Sequence, residues 1–476
     1  MDSKTLAEAF DYIREHRIPI HSLLIVRNGH IVLDAYFWPF QEGQLHDVAS
    51  VTKSVTSSLV GIAIGKHRLS GLRQPLLPLF GPRAVGNRDE RKNRLTIEDL
   101  LTMTSGLDCH GDRGEITLSQ MMASRDWVRF MLDLPMVAEP GSRFEYCSGG
   151  MHLLSGVITQ AAGVSALDFA RRELFGPLGI ETVAWPADAQ GITHGWGDLH
   201  LRPHDMAKIG YLWLNGGRWE NRQLVPAEWM RAATQVHSHP GGSNGQEYGL
   251  GIWVYPNRTP PEFEGLGRGG QRISVIPGRN MVVVFTGGGF EPGDIGSFIG
   301  RAIKSDRPLP QDPAGAALLA AAVRAATRPP SAHAMPPLST TAGMISGRTF
   351  ALEDNPLDLQ SFTLTFPGGA EAQLELESRD RHDGPRPVGL DGIPRVSPDG
   401  RFGLPVAVSG AWESDGSFVL DYDEVGNINA YRFRLLFGEH DVMVDYSERS
   451  RPRQGAQFRG TSGPPPRPAP TPLGAR

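Results

Sequence analysis

A serine and a lysine three residues apart, Ser50 and Lys53, are the strongest candidates for chemistry in this chain of 476 residues. Side chains at positions i and i+3 share one face of a helix, and an apolar helix-like run follows this pair, so both should point the same way. A serine hydroxyl is a poor nucleophile until a base accepts its proton, and an uncharged lysine amine can be that base. The pair therefore indicates nucleophilic catalysis, although the spacing alone also fits an ordinary capped helix start.

The elements around this pair predict one mixed domain of helices and strands. Asn28-Gly29 between two apolar runs predicts an early β-hairpin, and the β-branched run 281–286 predicts a buried strand late in the domain. Helical patterns lie between them, among them one across residues 118–134 and one across residues 151–162, whereas residues 71–93 resemble a loop. We therefore expect a sheet built from both ends of the domain.

The last third of the chain has a different pattern. Residues 307–338 predict an alanine-rich helix and a proline-rich linker, and residues 339–461 contain short alternating runs separated by turn residues. Such runs predict a small antiparallel barrel or sandwich. The remaining residues 462–476 are rich in proline and glycine, which predicts a disordered tail. These boundaries leave residues 1–306 as the first domain.

Three blocks of the sequence resemble the motifs of the serine β-lactamase and penicillin-recognising enzyme superfamily. They read ASVTKS at 49–54, YCSGG at 146–150 and GRGGQ at 267–271, and LLTMTSGL at 100–107 and DMA at 205–207 also look like that family. The blocks occur in the family's order. The likeness is greatest to the branch that holds class C β-lactamases, family VIII carboxylesterases, D-aminopeptidases and 6-aminohexanoate-dimer hydrolases.

The resemblance implies an α+β fold and a set of roles. The fold would be an antiparallel sheet flanked by helices with a helical subdomain, followed by a C-terminal lipocalin-like barrel. Ser50 would attack a carbonyl carbon, and Lys53 and Tyr146 would carry its proton. The backbone N–H groups of Ser50, free at a helix start, and of Gln271 would form the oxyanion hole. This chemistry requires no cofactor.

Two positions depart from the family's motifs. Ser148 stands where β-lactamases of this branch have the Asn of Tyr-x-Asn, and Arg268-Gly269-Gly270 stands where Lys-Thr-Gly or His-x-Gly is usual. We take Ser148, Arg268, Gly269 and Gly270 as candidate substrate-binding positions. Arg268 could supply a positive charge, but Gly269 has no hydroxyl, so the pair of groups that grips a β-lactam carboxylate is incomplete. This pattern favours esters and amides over β-lactams.

Composition narrows the choice of partner and location. A net charge of −5 without a long basic tract argues against a nucleic-acid partner. The two cysteines, Cys109 and Cys147, predict no disulfide framework, and we expect a structural thiol at Cys147. His237 and His239 do not match a metal-binding spacing, so no metal is expected. The N-terminus lacks a signal-peptide pattern and no apolar run reaches membrane length, which predicts a cytoplasmic protein without a membrane partner.

The leading hypothesis from the sequence is a serine hydrolase that acts on small esters or amides through an acyl-enzyme. Two alternatives stay within the superfamily: a D-amino-acid peptidase or amidase, and a weak β-lactamase. A third alternative is a binding protein that keeps the fold without catalysis. A homo-oligomer is compatible with the sequence, but nothing in the sequence indicates one.

Overall fold

The computed structural model describes residues 1–82, 84–110, 115–241, 245–334, 337–379, 381–451 and 455–463, and of Asp294 only the backbone. The chain divides into two compact units, Met1–Thr327 and Arg328–Arg476. Most of the tail that we expected to be disordered, residues 464–476, lies outside the described residues, so that expectation stays a prediction.

The first unit combines helices with one large sheet. Its helices are α1 Ser3–Glu15, α2 Val51–Gly65, α3 Glu90–Arg94, α4 Ile97–Leu101, α5 Ile116–Ala123, α6 Trp127–Asp133, α7 Ser148–Ala162, α8 Ala166–Ala170, α9 Pro203–Leu214, α10 Ala227–Ala233, α11 Gly293–Ala302 and α12 Pro313–Ala326. Its strands are β1 Ile20–Arg27, β2 His30–Tyr36, β3 His46–Asp47, β4 His200–Leu201, β5 Arg218–Trp219, β6 Arg222–Gln223, β7 Glu247–Tyr248, β8 Trp253–Tyr255, β9 Glu262–Gly267, β10 Gln271–Ile276 and β11 Met281–Gly287.

The large sheet has the strand order β2-β1-β11-β10-β9-β8-β7, with every neighbouring pair antiparallel. The early hairpin β1–β2 turns at Asn28-Gly29, both at positive φ, and β1 pairs directly with the late strand β11. The sheet is therefore built from both ends of the domain, as the sequence predicts. Alternate residues of β11 enter two apolar clusters: Val282 and Val284 pack on the α2 and α9 side, and Val283 and Phe285 pack on the α1 and α11 side.

Two helices differ from the sequence prediction. The pattern across residues 118–134 is not one helix, because the chain breaks after Ala123 and α6 begins behind Asp126, whose side chain accepts the Arg129 N–H at 2.9 Å. Helix α7 begins at Ser148, three residues before the predicted start. Residues 71–93 are also more than a loop, since they include the 3-10 turn Leu77–Phe80 and the first residues of α3.

The second unit consists of α13 Thr340–Ile345 and ten strands within the described residues. The strands are β12 Arg348–Leu352, β13 Leu359–Thr365, β14 Glu371–Ser378, β15 Arg381–Gly389, β16 Arg395–Ser397, β17 Val406–Trp412, β18 Phe418–Asp423, β19 Ala430–Phe437, β20 Asp441–Glu448 and β21 Gly455–Ser462. Nine of them are neighbours in the order β15-β14-β13-β12-β21-β20-β19-β18-β17. A pairing of Gly389 in β15 with Ser409 in β17 joins the two ends and closes the barrel. The expected C-terminal barrel is thus confirmed, and its inward residues form an apolar core.

No single helix among the described residues is long and apolar enough to cross a membrane, although the bent pair Ser148–Ala162 and Ala166–Phe175 meets the length and composition test together.

Candidate active site

Ser50 and Lys53 lie together at the start of α2, as their spacing predicts. Ser50 is the residue before the first turn of the helix, and Lys53 Nζ lies 2.8 Å from Ser50 Oγ. The second hydrogen bond of Nζ, at 3.0 Å, goes to the backbone oxygen of Trp196. The lysine side chain is only 1% exposed. The buried Lys53 amine is therefore held in place by hydrogen bonds to the Ser50 hydroxyl and to the Trp196 carbonyl.

The turn that presents Ser50 is strained. Ala49 has φ +48°, a conformation that a residue with a Cβ adopts at a cost of about 1–2 kcal/mol. The Asp47 carboxylate holds this turn by accepting the Ala49 N–H at 2.8 Å. On the other side, β9 passes so close that a Cβ on Gly267 would lie 2.5 Å from the Val48 oxygen. The end of β9 therefore sits directly against the residues that precede the serine.

Tyr146 joins this pair from the second block. The Lys53 Nζ lies 4.8 Å from the centre of the Tyr146 ring, and the ring stacks on half-buried Trp253 with centroids 6.1 Å apart. A second tyrosine nearby, Tyr248, is fully buried, and burial raises its pKa well above the usual value. The structure thus brings Ser50, Lys53 and Tyr146 together, from segments almost a hundred residues apart.

The third block forms a tight turn between β9 and β10. Gly269 and Gly270 both have positive φ, +81° and +95°, and a Cβ on Gly270 would collide with the Phe290 ring. The Gln271 side chain shapes this turn, because its amide donates to the Gly287 oxygen at 2.7 Å and its oxygen accepts the Gly287 N–H at 3.1 Å. The block therefore requires glycine for its backbone.

Arg268 acts electrostatically on the turn before Ser50. Burial raises the pKa of Asp47, and electrostatic interaction with His200 and with the Arg268 guanidinium opposes that rise. The half-buried Arg268 therefore lies within electrostatic range of the carboxylate that holds the Ala49 turn.

Ser148, the fourth candidate for substrate binding, is the first residue of α7. Its side chain is buried, and its backbone N–H donates to the Glu115 carboxylate at 2.7 Å. A carboxylate at this place satisfies one of the free N–H groups of a helix start and complements the helix dipole. Glu115 is a feature of the site that the motif comparison did not single out.

The two cysteines correct the sequence prediction, because Cys109 and Cys147 form a disulfide bond rather than free thiols. They are 38 residues apart in the sequence, yet their Cα atoms lie 5.6 Å apart. Two cysteines alone carry no signal for pairing, since only the fold brings them into contact. Cys147 directly follows Tyr146, so the bond lies at the site itself.

The hydrogen bond from Lys53 to the Trp196 carbonyl is a further contact that sequence reasoning missed. Its segment runs close to α7, where a Cβ on Gly195 would lie 2.0 Å from the Met151 oxygen. The Trp196 ring is buried and stacks on His194, with centroids 4.7 Å apart. Behind it, buried His152 contacts Asp188 at 3.1 Å, and burial lowers the pKa of this histidine. The flanking glycines, Gly195 and Gly197, were the available signal.

No group of three or more His, Cys, Asp or Glu side chains that could hold a metal ion occurs in the part of the chain that the structure describes.

Comparison with known proteins places the first unit in a family. The Beta-lactamase family matches residues 6–304, so the chain belongs to that family. The chain is 21% identical over 286 residues to the 6-aminohexanoate-dimer hydrolase of Paenarthrobacter ureafaciens. This match covers 55% of this chain and 71% of that protein. The resemblance inferred from the three sequence blocks is confirmed.

Two solved structures share the fold. The octameric penicillin-binding protein homologue from Pyrococcus abyssi has a TM-score of 0.51 and 17% identity, and the match covers 95% of this chain and 98% of that chain. EstCE1, a hydrolase with promiscuous acyltransferase activity, has a TM-score of 0.52 and 17% identity, with 64% of this chain and 99% of that chain covered. At these identities the likeness is one of fold, and it agrees with the α+β class expected from the sequence.

Proposed function

We propose that this protein is a serine hydrolase that cleaves small esters or amides through an acyl-enzyme on Ser50. The observation that carries the proposal is the position of the Lys53 amine, 2.8 Å from the Ser50 hydroxyl in a buried place. Catalysis by a positioned base requires this hydrogen-bond distance between the base and the hydroxyl.

The Trp196 carbonyl gives the amine a defined orientation. A neutral lysine amine has two N–H bonds and one lone pair. Donating one N–H to the Trp196 oxygen at 3.0 Å helps to turn the lone pair towards the Ser50 hydroxyl. The amine can then accept the hydroxyl proton while Ser50 Oγ bonds to the substrate carbonyl carbon.

Tyr146 supports the second half of the reaction. The tetrahedral intermediate collapses when the bond to the leaving alcohol or amine breaks, and the leaving group needs a proton. Tyr146 and Lys53 are the groups beside Ser50 that can pass this proton on, since the Lys53 amine lies 4.8 Å from the Tyr146 ring centre. Water then attacks the Ser50 ester, and its proton returns along the same groups as the acid leaves. We assign the oxyanion hole to the backbone N–H groups of Ser50 and Gln271, by the family resemblance.

Two features favour esters and amides over β-lactams. Gly269 offers no hydroxyl in the third block, and Ser148, which stands where Asn is usual in the second block, has a buried side chain. A relative of this chain is named as a 6-aminohexanoate-dimer hydrolase, which acts on an amide. The substrate class that we propose is therefore a small ester or a linear amide.

The test is a substrate panel of short-chain p-nitrophenyl esters, linear amides, D-alanyl amides and β-lactams, measured with the native protein and with Ser50→Ala. We expect ester or amide turnover that Ser50→Ala reduces on the order of 10³-fold or more. The matched control is Ser54→Ala on the same helix, which loses only a hydrogen bond to the Gly251 oxygen and should keep turnover.

Undiminished hydrolysis by Ser50→Ala would refute the proposal. Turnover of D-alanyl amides or of β-lactams above that of esters and linear amides would replace the substrate class with the corresponding alternative. No turnover on any member of the panel would support a binding protein with this fold.

A further inference from the structure

Glu145, Cys147 and Ser148, the residues next to Tyr146, are each bonded to an earlier segment of the chain, the one that follows α4. The Glu145 N–H donates to the Met103 oxygen at 2.7 Å. Cys147 is bonded to Cys109, and the Ser148 N–H donates to Glu115 at 2.7 Å. The backbone around Tyr146 is therefore held on both sides by residues of the stretch that follows α4.

The Tyr146 side chain depends on this backbone for its place. Its ring is half-buried, with Trp253 on one face and the Lys53 amine 4.8 Å from its centre. In a site where two reacting groups must meet, a shift of about 1 Å can lower the rate by about a hundredfold. The bonds that hold residues 145–148 in place should therefore affect kcat more than KM.

We propose that the Cys109–Cys147 disulfide and the Glu115 carboxylate are positioning groups for Tyr146, and that reduction of the disulfide lowers turnover. This inference rests on the proposed function, because it assumes that Tyr146 moves a proton in the reaction. A dithiol reductant supplies two electrons and two protons. The S–S bond breaks, thiols form on Cys109 and Cys147, and the reductant becomes a disulfide.

Glu115 supplies the fastening that can be changed without touching the disulfide. Its backbone is in the left-handed region at φ +57°, so its placement costs free energy, and its carboxylate accepts the first N–H of α7. Gln can still accept that N–H through its amide oxygen, whereas Ala cannot. The pair of variants therefore separates the hydrogen bond from the rest of the side chain.

The first test compares the oxidised protein with the dithiothreitol-reduced protein, with thiols counted by alkylation and intact mass and folding checked by circular dichroism. We expect kcat to fall between about tenfold and a hundredfold on reduction, with KM within about twofold, and reoxidation to restore kcat. The double variant Cys109→Ser/Cys147→Ser should have the low kcat and no response to dithiothreitol. Equal kcat for the oxidised and the fully reduced, folded protein would overturn the proposal.

The second test keeps the proposal falsifiable if reduction unfolds the protein. Glu115→Ala should lower kcat about tenfold with KM nearly unchanged, and Glu115→Gln should recover most of that loss at a similar melting temperature. Native kcat in Glu115→Ala, or an equal loss in both variants, would overturn the positioning role of this hydrogen bond.

The two proposals fail in different ways. If Ser50→Ala hydrolyses the ester as well as the native protein, the proposed function is wrong whatever the redox result. If Ser50→Ala is inactive while reduction and both Glu115 variants leave kcat unchanged, only the positioning role is wrong.

Discussion

Helix α2 of the first unit and strand β18 of the barrel bury their side chains in opposite ways. In α2 every residue from Val51 to Ala63 is buried, including a lysine and several hydroxyl groups. In β18, buried and half-buried residues alternate from Phe418 to Asp423, and the buried Phe418, Leu420 and Tyr422 belong to the barrel core. The strand follows the ordinary division between core and solvent, whereas the helix has no polar face towards solvent.

The polar groups of α2 find their partners in distant segments. Ser54, Thr56 and Ser57 donate to the backbone oxygens of Gly251, Gly195 and Leu250, at 2.7, 2.9 and 2.5 Å. Buried polar groups are costly unless they are paired, so these bonds stabilise one arrangement of the surrounding loops. The difference teaches that the first unit uses buried polarity to fix a site, while the barrel uses apolar packing to stabilise a fold.

The largest effect that we predict is on turnover, and it distinguishes two buried lysines of the first unit. Lys53→Met should lower kcat/KM on the order of 10³–10⁴-fold, because Ser50 loses its base. The matched control is Lys92→Met, since the Lys92 Nζ lies away from Ser50 and donates to the backbone oxygens of Gly86, Leu132 and Leu134. Steady-state kinetics and urea unfolding of both variants are the measurements.

Lys92→Met should leave turnover per folded molecule unchanged and lower the free energy of unfolding by about 3 kcal/mol, because three oxygens lose a donor. Equal losses of turnover in the two lysine variants would contradict the distinction between a site lysine and a structural lysine.

A smaller effect is expected from the barrel core. Leu420→Ala removes a side chain that is 3% exposed and should lower the free energy of unfolding of the barrel by about 3 kcal/mol. Leu436→Ala, at a leucine that is 53% exposed, should change it by less than about 0.5 kcal/mol. Urea unfolding measures both, and a similar loss in the two variants would show that inward packing does not stabilise the barrel.

The smallest effect concerns two buried histidines of the first unit. Burial lowers the pKa of His152 and, together with the nearby His21, lowers the pKa of His46 well below the usual 6.5. Below pH 6.5 the unfolded chain takes up protons that the folded chain does not, so stability is complete above this pH and is lost as pH falls. Each histidine should contribute at most about 1.4 kcal/mol of loss per pH unit, and only at pH values between its pKa in the folded chain and its pKa in the unfolded chain.

Urea unfolding between pH 7 and pH 5 measures this loss, and His46→Gln should make the dependence shallower. An unchanged slope in that variant would show that His46 does not contribute to it.

The sequence predicts those parts of the structure that depend on local pattern. Asn28-Gly29 predicts the hairpin, and the spacing of Ser50 and Lys53 predicts their contact. Alternation predicts the strands of the second unit within the described residues, except β15 and β16. Strand β15 carries Gly384 and Pro385, residue types that favour turns over strands, and it was not predicted.

The remaining features depend on contacts between distant segments. The Trp196 carbonyl lies 143 residues from Lys53 in the sequence, and no side-chain type identifies a backbone acceptor. The Cys109–Cys147 bond likewise needs the fold to bring the two residues together. The cytoplasmic location expected from the sequence stays a prediction.

The most direct test of the central claim is intact-mass spectrometry after reaction with a serine-reactive phosphonate. The account predicts one covalent adduct on the native protein, located at Ser50 by peptide mapping, and none on Ser50→Ala. Slower labelling of Lys53→Met would show that the buried amine activates the serine. An adduct of equal extent on Ser50→Ala, or no adduct on the folded native protein, would contradict the account.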